Sequence, residues 1–278
     1  MKDSRPIVPW MEYMSLMIPP SGMVLVGAGK GTSEWVKFIS GLPNTMSIFV
    51  EADPVKFKFL ESIAAGYPSW RLYNEVIAKE SDVLDFHETS MSSENSLINP
   101  EQLLDIWPNL KTQQVLPRQT LALKGLLGEN EVNWLLIDCL PALPIIDGIE
   151  DGLEAVDVIA ARVVVSTTVA ELNAASLQAL QNSLENQGFR LQAIEPSIHP
   201  SLGHALFIRE DCLGNRGVRQ KLAQAEARIG TLLQKIADAD VKMASYLQQE
   251  QAANESVTLY QQAKDQNENL TKEKAQAE

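Results

Sequence analysis

Residues 24–32 read Val24-Leu25-Val26-Gly27-Ala28-Gly29-Lys30-Gly31-Thr32, and this stretch decides the fold. The apolar run Met23–Val26 is typical of a short buried strand, and the glycines that follow permit a tight turn. Apolar residues of Ser33–Ser40 supply one face of a helix, so the turn leads into a helix N-terminus with free backbone N–H groups. The stretch therefore predicts a strand–turn–helix unit that binds a ligand at its turn.

An acidic residue ends the next predicted strand, Ser47–Val50. Glu51 stands twenty residues beyond Gly31, where a carboxylate can accept hydrogen bonds from both hydroxyls of a ribose. The glycine spacing is Gly-x-Gly-x-Gly, whereas the dinucleotide fingerprint needs its third glycine at Thr32. The predicted cofactor-binding residues are Gly27, Ala28, Gly29, Gly31, Glu51, Ala52 and Asp53. The alternative is an α/β domain that has a tight turn and no ligand.

Strand and helix patterns alternate over residues 1–213, which we predict to form one α/β domain. Helices are predicted over Pro54–Ala65, Gln119–Leu127, residues 149–161 and Ala170–Gln187, the last ending at Gly188. Further strands are predicted over Arg71–Ala78, Trp134–Ile137, Val163–Ser166, Arg190–Ile194 and His204–Arg209, and residues 88–100 are predicted as a polar loop. These spacings indicate a doubly wound, mostly parallel sheet covered by helices, with an antiparallel last strand.

The glycine spacing is similar to the first motif of class I S-adenosylmethionine-dependent methyltransferases. Residues 20–210 resemble one branch of them, the family named after the FkbM macrolide O-methyltransferase. The resemblance is carried by the first loop, Ile48–Pro54, Trp134-Leu135-Leu136-Ile137-Asp138, Gly188-Phe189 and Ala205–Arg209. It implies the class I methyltransferase fold, S-adenosylmethionine as the cofactor, and methylation of hydroxyls on sugars, polyketides or similar small molecules.

Two positions depart from the pattern of that family. Its members usually have an acid two residues before the first glycine, where it binds the methionine ammonium, and here that residue is Leu25. Its fourth strand ends in an Asp followed by Val-Glu-Gly-Ala-Glu, whereas Asp138 is followed by Cys139-Leu140-Pro141-Ala142-Leu143-Pro144. An ammonium without its carboxylate loses about 1.5–3 kcal/mol unless another group substitutes.

Asp138 is the candidate catalytic residue, either as the base for an acceptor hydroxyl or as a cofactor contact. The alternative is an Asp that caps the turn after its strand. Further candidate bases are Asp85, His87 and Asp147. A structural role is expected for all three histidines, His87, His199 and His204. The acids of residues 80–94 fit a solvated loop, so no metal site is predicted.

The charge of the chain is unevenly distributed. Residues 1–213 carry 14 basic and 27 acidic side chains, whereas residues 214–278 carry nine of each, so the net charge of −13 lies on the first part. Such a domain repels nucleic acids and anionic membranes. No apolar run approaches the length of a membrane span, about 20 residues. The isolated Cys139 and Cys212 fit free thiols, and we expect a cytoplasmic protein.

Residues 214–278 contain no proline and are rich in Gln, Ala, Glu and Lys. A heptad pattern with Leu222 at position a predicts a coiled-coil helix and a homo-oligomer through residues 218–260. Its a and d positions are Leu222, Ala225, Ile229, Leu232, Ile236, Ala239, Met243 and Tyr246, preceded by Val218 and followed by Ala253, Val257 and Tyr260. The alternative is a single helix packed on the domain, which usually has a wider apolar face.

Two functions remain open at this point. The first is an enzyme that methylates a hydroxyl of a saccharide or another small molecule. The second is a catalytically inactive, methyltransferase-like scaffold that oligomerises through its coiled coil and organises a partner enzyme of polysaccharide biosynthesis.

Overall fold

The structure is a computed structural model of the 278-residue chain. It describes residues 7–42, 44–127, 131–166, 170–197, 199–213, 234, 236–239, 242–244, 246, 256, 259 and 261–264. The chain divides into two compact units, Met1–Asn215 and Arg216–Glu278. No helix in the described part of the chain is long and apolar enough to cross a membrane.

The first unit contains ten strands and seven α-helices among its described residues. The strands are β1 (Gly22–Val26), β2 (Met46–Val50), β3 (Trp70–Tyr73), β4 (Val76–Ala78), β5 (Val83–Thr89), β6 (Thr112–Ala122), β7 (Trp134–Ile137), β8 (Val158–Val164), β9 (Phe189–Pro196) and β10 (Leu202–Arg209). The helices are α1 (Val8–Met17), α2 (Glu34–Ser40), α3 (Pro54–Ala64), α4 (Leu123–Leu127), α5 (Leu143–Asp147), α6 (Leu177–Glu185) and α7 (Glu210–Leu213). Short 3-10 helices cover Ser92–Glu94, Pro100–Leu103, Glu150–Ala155 and Ala170–Ala175.

Seven strands form the main sheet in the order β3-β2-β1-β7-β8-β10-β9. All neighbours are parallel except β10, which runs antiparallel to both β8 and β9. The predicted mostly parallel sheet and its antiparallel last strand are therefore confirmed. The chain order reverses between β1 and β7, and such switch points are where doubly wound sheets bind ligands.

Both faces of the main sheet are covered, which explains why its central strands are apolar throughout. Every residue of β1 and β7 is buried. Helices α1, α2 and α3 pack on one face through Met11, Trp35 and Leu60. Helices α5 and α6 pack on the other through Ile145 and Leu180. The fold is thus doubly wound, as continuous hydrophobic runs in the strands predict.

A second sheet, in the order β4-β6-β5, is built from the chain between β3 and α4. The sequence prediction missed this sheet: β5 lies within residues 80–94, predicted as a solvated loop, and two further segments were assigned wrongly. Arg71–Ala78, predicted as one strand, is divided at Asn74 between β3 in the main sheet and β4 in the second. Gln119–Leu127, predicted as a helix, continues β6 to Ala122 before α4 begins. Pairing with β4 and β5 along β6 overrides the local helical preference.

Two further helix predictions were too long. Residues 149–161 form the 3-10 helix Glu150–Ala155 and then β8, which begins at Val158 rather than at Val163. Ala170–Gln187 is divided into a 3-10 helix and α6, because the Ser176 hydroxyl accepts a hydrogen bond from Ala179 N–H and begins a new helix there. That helix ends at Glu185, and Gly188 follows it with a φ of +82°.

The described residues of the second unit are helical and exposed to solvent. Ile236, Met243 and Tyr246, three of the predicted a and d positions, are 57%, 62% and 67% exposed. Leu222, Ala225, Ile229 and Leu232 lie outside the described residues, as do Ala253, Val257 and Tyr260. Pairing of this helix with a second one therefore stays a prediction.

Candidate functional site

The glycine turn after β1 leaves room for a ligand. Gly27 and Gly29 have φ values of +83° and +61°, in the left-handed region that favours glycine. A Cβ atom on Gly27 would lie 3.0 Å from the Cβ of Cys139, whereas one on Gly29 would meet no atom within 4 Å. The turn is therefore closed towards β7 and open above Gly29.

Glu51 lies at the end of β2 with only 6% of its surface exposed. Its Oε2 accepts a hydrogen bond from Gly29 N–H over 2.6 Å, and its Oε1 accepts one from Asp53 N–H over 2.9 Å. Burial raises the pKa of Glu51, while these two hydrogen bonds and the charge of Lys56 act in the opposite direction. The carboxylate is thus fixed beside the turn, as its predicted role in cofactor binding requires.

Asp53 and Ala52, predicted with Glu51, have other partners in the structure. Asp53 Oδ1 accepts hydrogen bonds from the N–H groups of Val55 and Lys56, so this side chain caps α3. The Ala52 carbonyl oxygen accepts a hydrogen bond from Arg118 Nη2 over 3.2 Å, and Ala52 lies on the wall of the cavity described next. Asp53 does not line that cavity.

A cavity of about 360 Å³ opens at the switch point between β1 and β7. The predicted residues Gly27, Ala28, Gly29, Glu51 and Ala52 form part of its wall, and Asp138 and Arg162 form another part. Its volume is within the range of small-molecule sites, about 300–1,000 Å³. The structure therefore brings most of the predicted cofactor residues to one concave site.

The segment predicted as a solvated loop also lines this cavity. It contributes the side chains of Ser92, Ser93, Asn95, Ser96 and Leu97, and β5 adds Phe86. The sequence prediction assigned no function to these residues, because nothing local places a loop some forty residues beyond Glu51 over the ends of β1 and β2. Their serine and asparagine side chains give the cavity an uncharged polar wall.

Two cationic side chains attach this segment to the main sheet and to α3, and a third, Arg118, attaches β6 to the residue after Glu51. Arg162 Nη2 lies 3.0 Å from both carboxylate oxygens of Glu94, and the two side chains are only 14% and 5% exposed. Lys56 Nζ donates a hydrogen bond to the Ser92 carbonyl oxygen. Arg118 makes the contact with Ala52 described above. The polar wall is therefore fixed by contacts at several points.

Asp138 directly follows β7, and its side chain is on the cavity wall. Its Oδ1 lies 3.2 Å from Nε2 of His204, and the His204 ring packs edge-on against Trp35 with 5.1 Å between ring centres. No hydrogen bond from the following turn to the Asp138 carboxylate is found among the described residues. The capping alternative therefore has no supporting hydrogen bond among the described residues, and a role of Asp138 in binding or catalysis stays a prediction.

The sequence prediction missed both His204 and Arg162, which come together only through strand pairing. They lie opposite each other in the antiparallel β8–β10 pair. A charged residue within the otherwise apolar β8 was the available signal for Arg162. For His204, the order of the strands had to be known first, because Asp138 lies 66 residues earlier in the chain.

The other candidate bases lie away from the cavity. Asp85 and His87 are on β5 but do not line it. Asp147, at the end of α5, lines a separate polar groove together with Glu150 and Asp151. Of the predicted candidates, Asp138 alone can act on a ligand in the cavity.

No cluster of metal ligands is found in the described part of the chain. There, no group of three or more His, Cys, Asp or Glu side chains is arranged to hold a metal ion. Cys139 and Cys212 are not joined by a disulfide.

Comparisons with known proteins give structural similarities only. No protein-family model matches the chain, and no curated protein matches its sequence. Solved structures similar to it include magnesium protoporphyrin IX methyltransferase from Synechocystis PCC 6803 with bound S-adenosylmethionine, at 7% identity and a TM-score of 0.40, covering 73% of this chain and 76% of that one. Precorrin-6y C5,15-methyltransferase from Geobacter metallireducens GS-15 is 14% identical with a TM-score of 0.38, covering 71% and 87%. Ribosomal protein L11 methylase from Lactobacillus delbrueckii subsp. bulgaricus is 11% identical with a TM-score of 0.40, covering 73% and 77%.

Proposed function

We propose that the chain binds S-adenosylmethionine in the switch-point cavity and transfers its methyl group to a hydroxyl of a saccharide or another small molecule. The observation that carries this proposal is the buried Glu51 carboxylate, held 2.6 Å from Gly29 N–H at a turn that is open above Gly29. When bound, the cofactor supplies a methyl group on a positively charged sulfur, which an acceptor oxygen can displace.

The residues around the turn fit the nucleoside part of this cofactor. Glu51 can accept hydrogen bonds from two ribose hydroxyls, because each carboxylate oxygen has a second lone pair. The apolar side chains of Val76, Ile77 and Phe86 line the same cavity and suit a purine ring. A turn whose hydrogen-bonding groups were all occupied could not bind the ribose. A site lined only by charged side chains could not accommodate the purine ring.

The proposed acceptor follows from the polar wall of the cavity. Ser92, Ser93, Asn95 and Ser96 offer uncharged donors and acceptors, which suit a ligand rich in hydroxyl groups. The excess of acidic side chains on residues 1–213 opposes polyanionic acceptors such as nucleic acids. A glycan precursor or a similar hydroxylated small molecule meets both conditions. The sequence contains only two isolated cysteines, and we propose the cytoplasm as the place of this reaction.

Isothermal titration calorimetry tests cofactor binding directly. We expect S-adenosylmethionine and S-adenosylhomocysteine to bind the wild-type chain, and Glu51→Ala to weaken both by about tenfold to a hundredfold, the effect of losing charge-assisted hydrogen bonds. Glu61→Ala is the matched control, since Glu61 is an exposed carboxylate on α3. The absence of binding to the wild-type chain at millimolar ligand would contradict the proposal.

The scaffold is the second candidate function, and two observations favour it. The residues after Asp138 provide a cysteine and apolar side chains rather than acids. The described tail helix exposes Ile236, Met243 and Tyr246 on one predicted seam. We propose for this case a homo-oligomer through residues 218–260 that holds a partner enzyme of polysaccharide biosynthesis. An oligomeric chain that binds no S-adenosylhomocysteine would favour this candidate over the enzyme.

A further inference from the structure

The two ends of the cavity differ in chemical character, and this difference orients an elongated ligand. At one end, Val76, Ile77 and Phe86 are apolar. At the other, Asp138 and Arg162 are charged: Asp138 directly follows β7, and Arg162 lies within the neighbouring strand β8. If the proposed function holds, the adenine ring belongs at the apolar end, and the amino-acid group of the cofactor belongs at the charged end.

An amino-acid group brings an ammonium into the cavity, and a partly buried ammonium needs an anionic partner. Three carboxylates line the cavity, those of Glu51, Glu75 and Asp138. Glu51 already accepts two backbone hydrogen bonds beside the ribose position, and Glu75 follows β3 on the apolar side. Asp138 is therefore the carboxylate of this wall that lies on the β7 side of the glycine turn.

The position on β1 that could have supplied this charge is apolar. Leu25 is completely buried and pairs with Leu136 of β7. Because side chains alternate along a strand, Asp138 lies on the same face as Leu136, and hence as Leu25. Its carboxylate is displaced from the Leu25 position by one strand spacing, about 4.8 Å, and by two residues along the strand. It can thus serve the ligand region that Leu25 leaves without charge.

The local charges leave Asp138 free to bind a cation. Arg162 is already paired with both carboxylate oxygens of Glu94 at 3.0 Å. His204 engages only Oδ1 of Asp138, so Oδ2 has no partner among the described residues. The contact with the His204 ring fixes Oδ1 in place and leaves Oδ2 for a ligand.

We propose that Asp138 binds the ammonium of the cofactor through Oδ2 and that His204 is a positioning residue that holds its carboxylate in place. This role is distinct from that of a general base. It assigns Asp138 to the binding of the cofactor, and methyl transfer then depends on the proximity and orientation of the two reactants.

Two ligands isolate this contact in a calorimetric titration. S-adenosylhomocysteine carries the amino-acid group, and 5′-methylthioadenosine lacks it while keeping the nucleoside and the sulfur. We expect Asp138→Asn to weaken S-adenosylhomocysteine about tenfold to a hundredfold and to leave 5′-methylthioadenosine unchanged. Asp85→Asn removes the same charge from exposed β5 and should change neither affinity.

His204 is tested by the same pair of ligands. His204→Phe should weaken S-adenosylhomocysteine alone, and His204→Gln, which keeps a donor, should recover part of the affinity. For a variant that fails to fold, histidine resonances of the wild-type chain replace the titration, since it has only three histidines. Saturation with S-adenosylhomocysteine should shift the His204 signal, and 5′-methylthioadenosine should not.

The outcomes separate this proposal from the proposed function. If Asp138→Asn loses affinity equally for both ligands, or loses none for either, the proposed ammonium contact is wrong. Cofactor binding itself stands in both cases. A His204 resonance that responds equally to both ligands would overturn it as well. If the wild-type chain binds neither ligand, the proposed function fails together with this contact.

Discussion

Cys139 follows Asp138 on the cavity wall, where a reactive thiol would be expected to act as a nucleophile. Burial, and after it the negative charges of Asp138 and Glu51, raise the pKa of Cys139 to about 12. At pH 8 only about one thiol in 10,000 is then ionised. Since the thiolate is the reactive form, the high pKa opposes nucleophilic catalysis by this residue.

Alkylation measures this property. In a Cys212→Ser variant, where Cys139 is the remaining thiol, we expect iodoacetamide at pH 8 to label the folded protein far more slowly than the protein unfolded in denaturant. Mass spectrometry of the intact chain reports the labelled fraction. Equal rates in the two states would show that the thiol is accessible and ionised.

Among single residues, the sequence identified those that lie close together because they are near each other in the chain. Glu51 lies twenty residues beyond Gly31 of the glycine turn, and a helix followed by a strand brings them together. His204 and Arg162 could not be found in this way. Arg162 reaches the cavity because β8 pairs with β7, and His204 lies near Asp138 because β10 pairs with β8. Both are contacts between segments that are distant in the chain.

Among the elements, the segment that carries Glu94 is attached to β8 by a buried ion pair. Removing one partner leaves the other charge buried, which costs about 3–5 kcal/mol. We therefore expect Glu94→Leu alone and Arg162→Met alone each to lower the free energy of unfolding by an amount of this order. In the double variant Arg162→Met/Glu94→Leu no charge remains, and the free energy should return towards the wild-type value.

Urea unfolding followed by tryptophan fluorescence gives these free energies for the first unit, since all five tryptophans lie before residue 135. The four proteins of the cycle, wild type, two single variants and the double variant, give the coupling between the two side chains. A double variant less stable than both single variants would contradict a buried pair of this kind.

The elements that the sequence predicted well are those buried on both faces. β1 and β7 are continuous apolar runs, and their predicted positions agree with the structure within one residue. β6 was missed because most of its residues are exposed and Pro117 lies within it, so that neither an apolar run nor an alternating pattern marks it. β8 was shortened because Ala160 and Ala161 resemble helix residues, although their environment is the sheet.

For the whole molecule, the predicted coiled coil would decide the oligomeric state. Lysine at seam positions places like charges against each other across a paired helix, so Ile236→Lys/Met243→Lys should reduce the molar mass in solution. Ala237→Lys/Ala244→Lys adds the same charge at exposed positions next to the seam and should leave the mass unchanged.

Light scattering coupled to size exclusion gives the molar mass of each full-length protein. A wild-type mass of one chain, 30.7 kDa, would contradict the coiled coil. If the wild-type protein and both double variants have the same multiple of that mass, the contact between the chains lies elsewhere on the molecule.

The position of β10 in the main sheet has a consequence for the synthesis of the chain on the ribosome. β10 comes after β9 in the sequence but lies between β8 and β9 in space. Until β10 has been synthesised as far as Arg209, the edge of β8 that faces away from β7 has no partner strand. For the same reason β9 cannot yet join the sheet. His204 belongs to this last strand, so a nascent chain can form the glycine turn long before Asp138 acquires its partner. We expect ligand binding to appear only after the final strand is inserted, as a late event in the maturation of the domain.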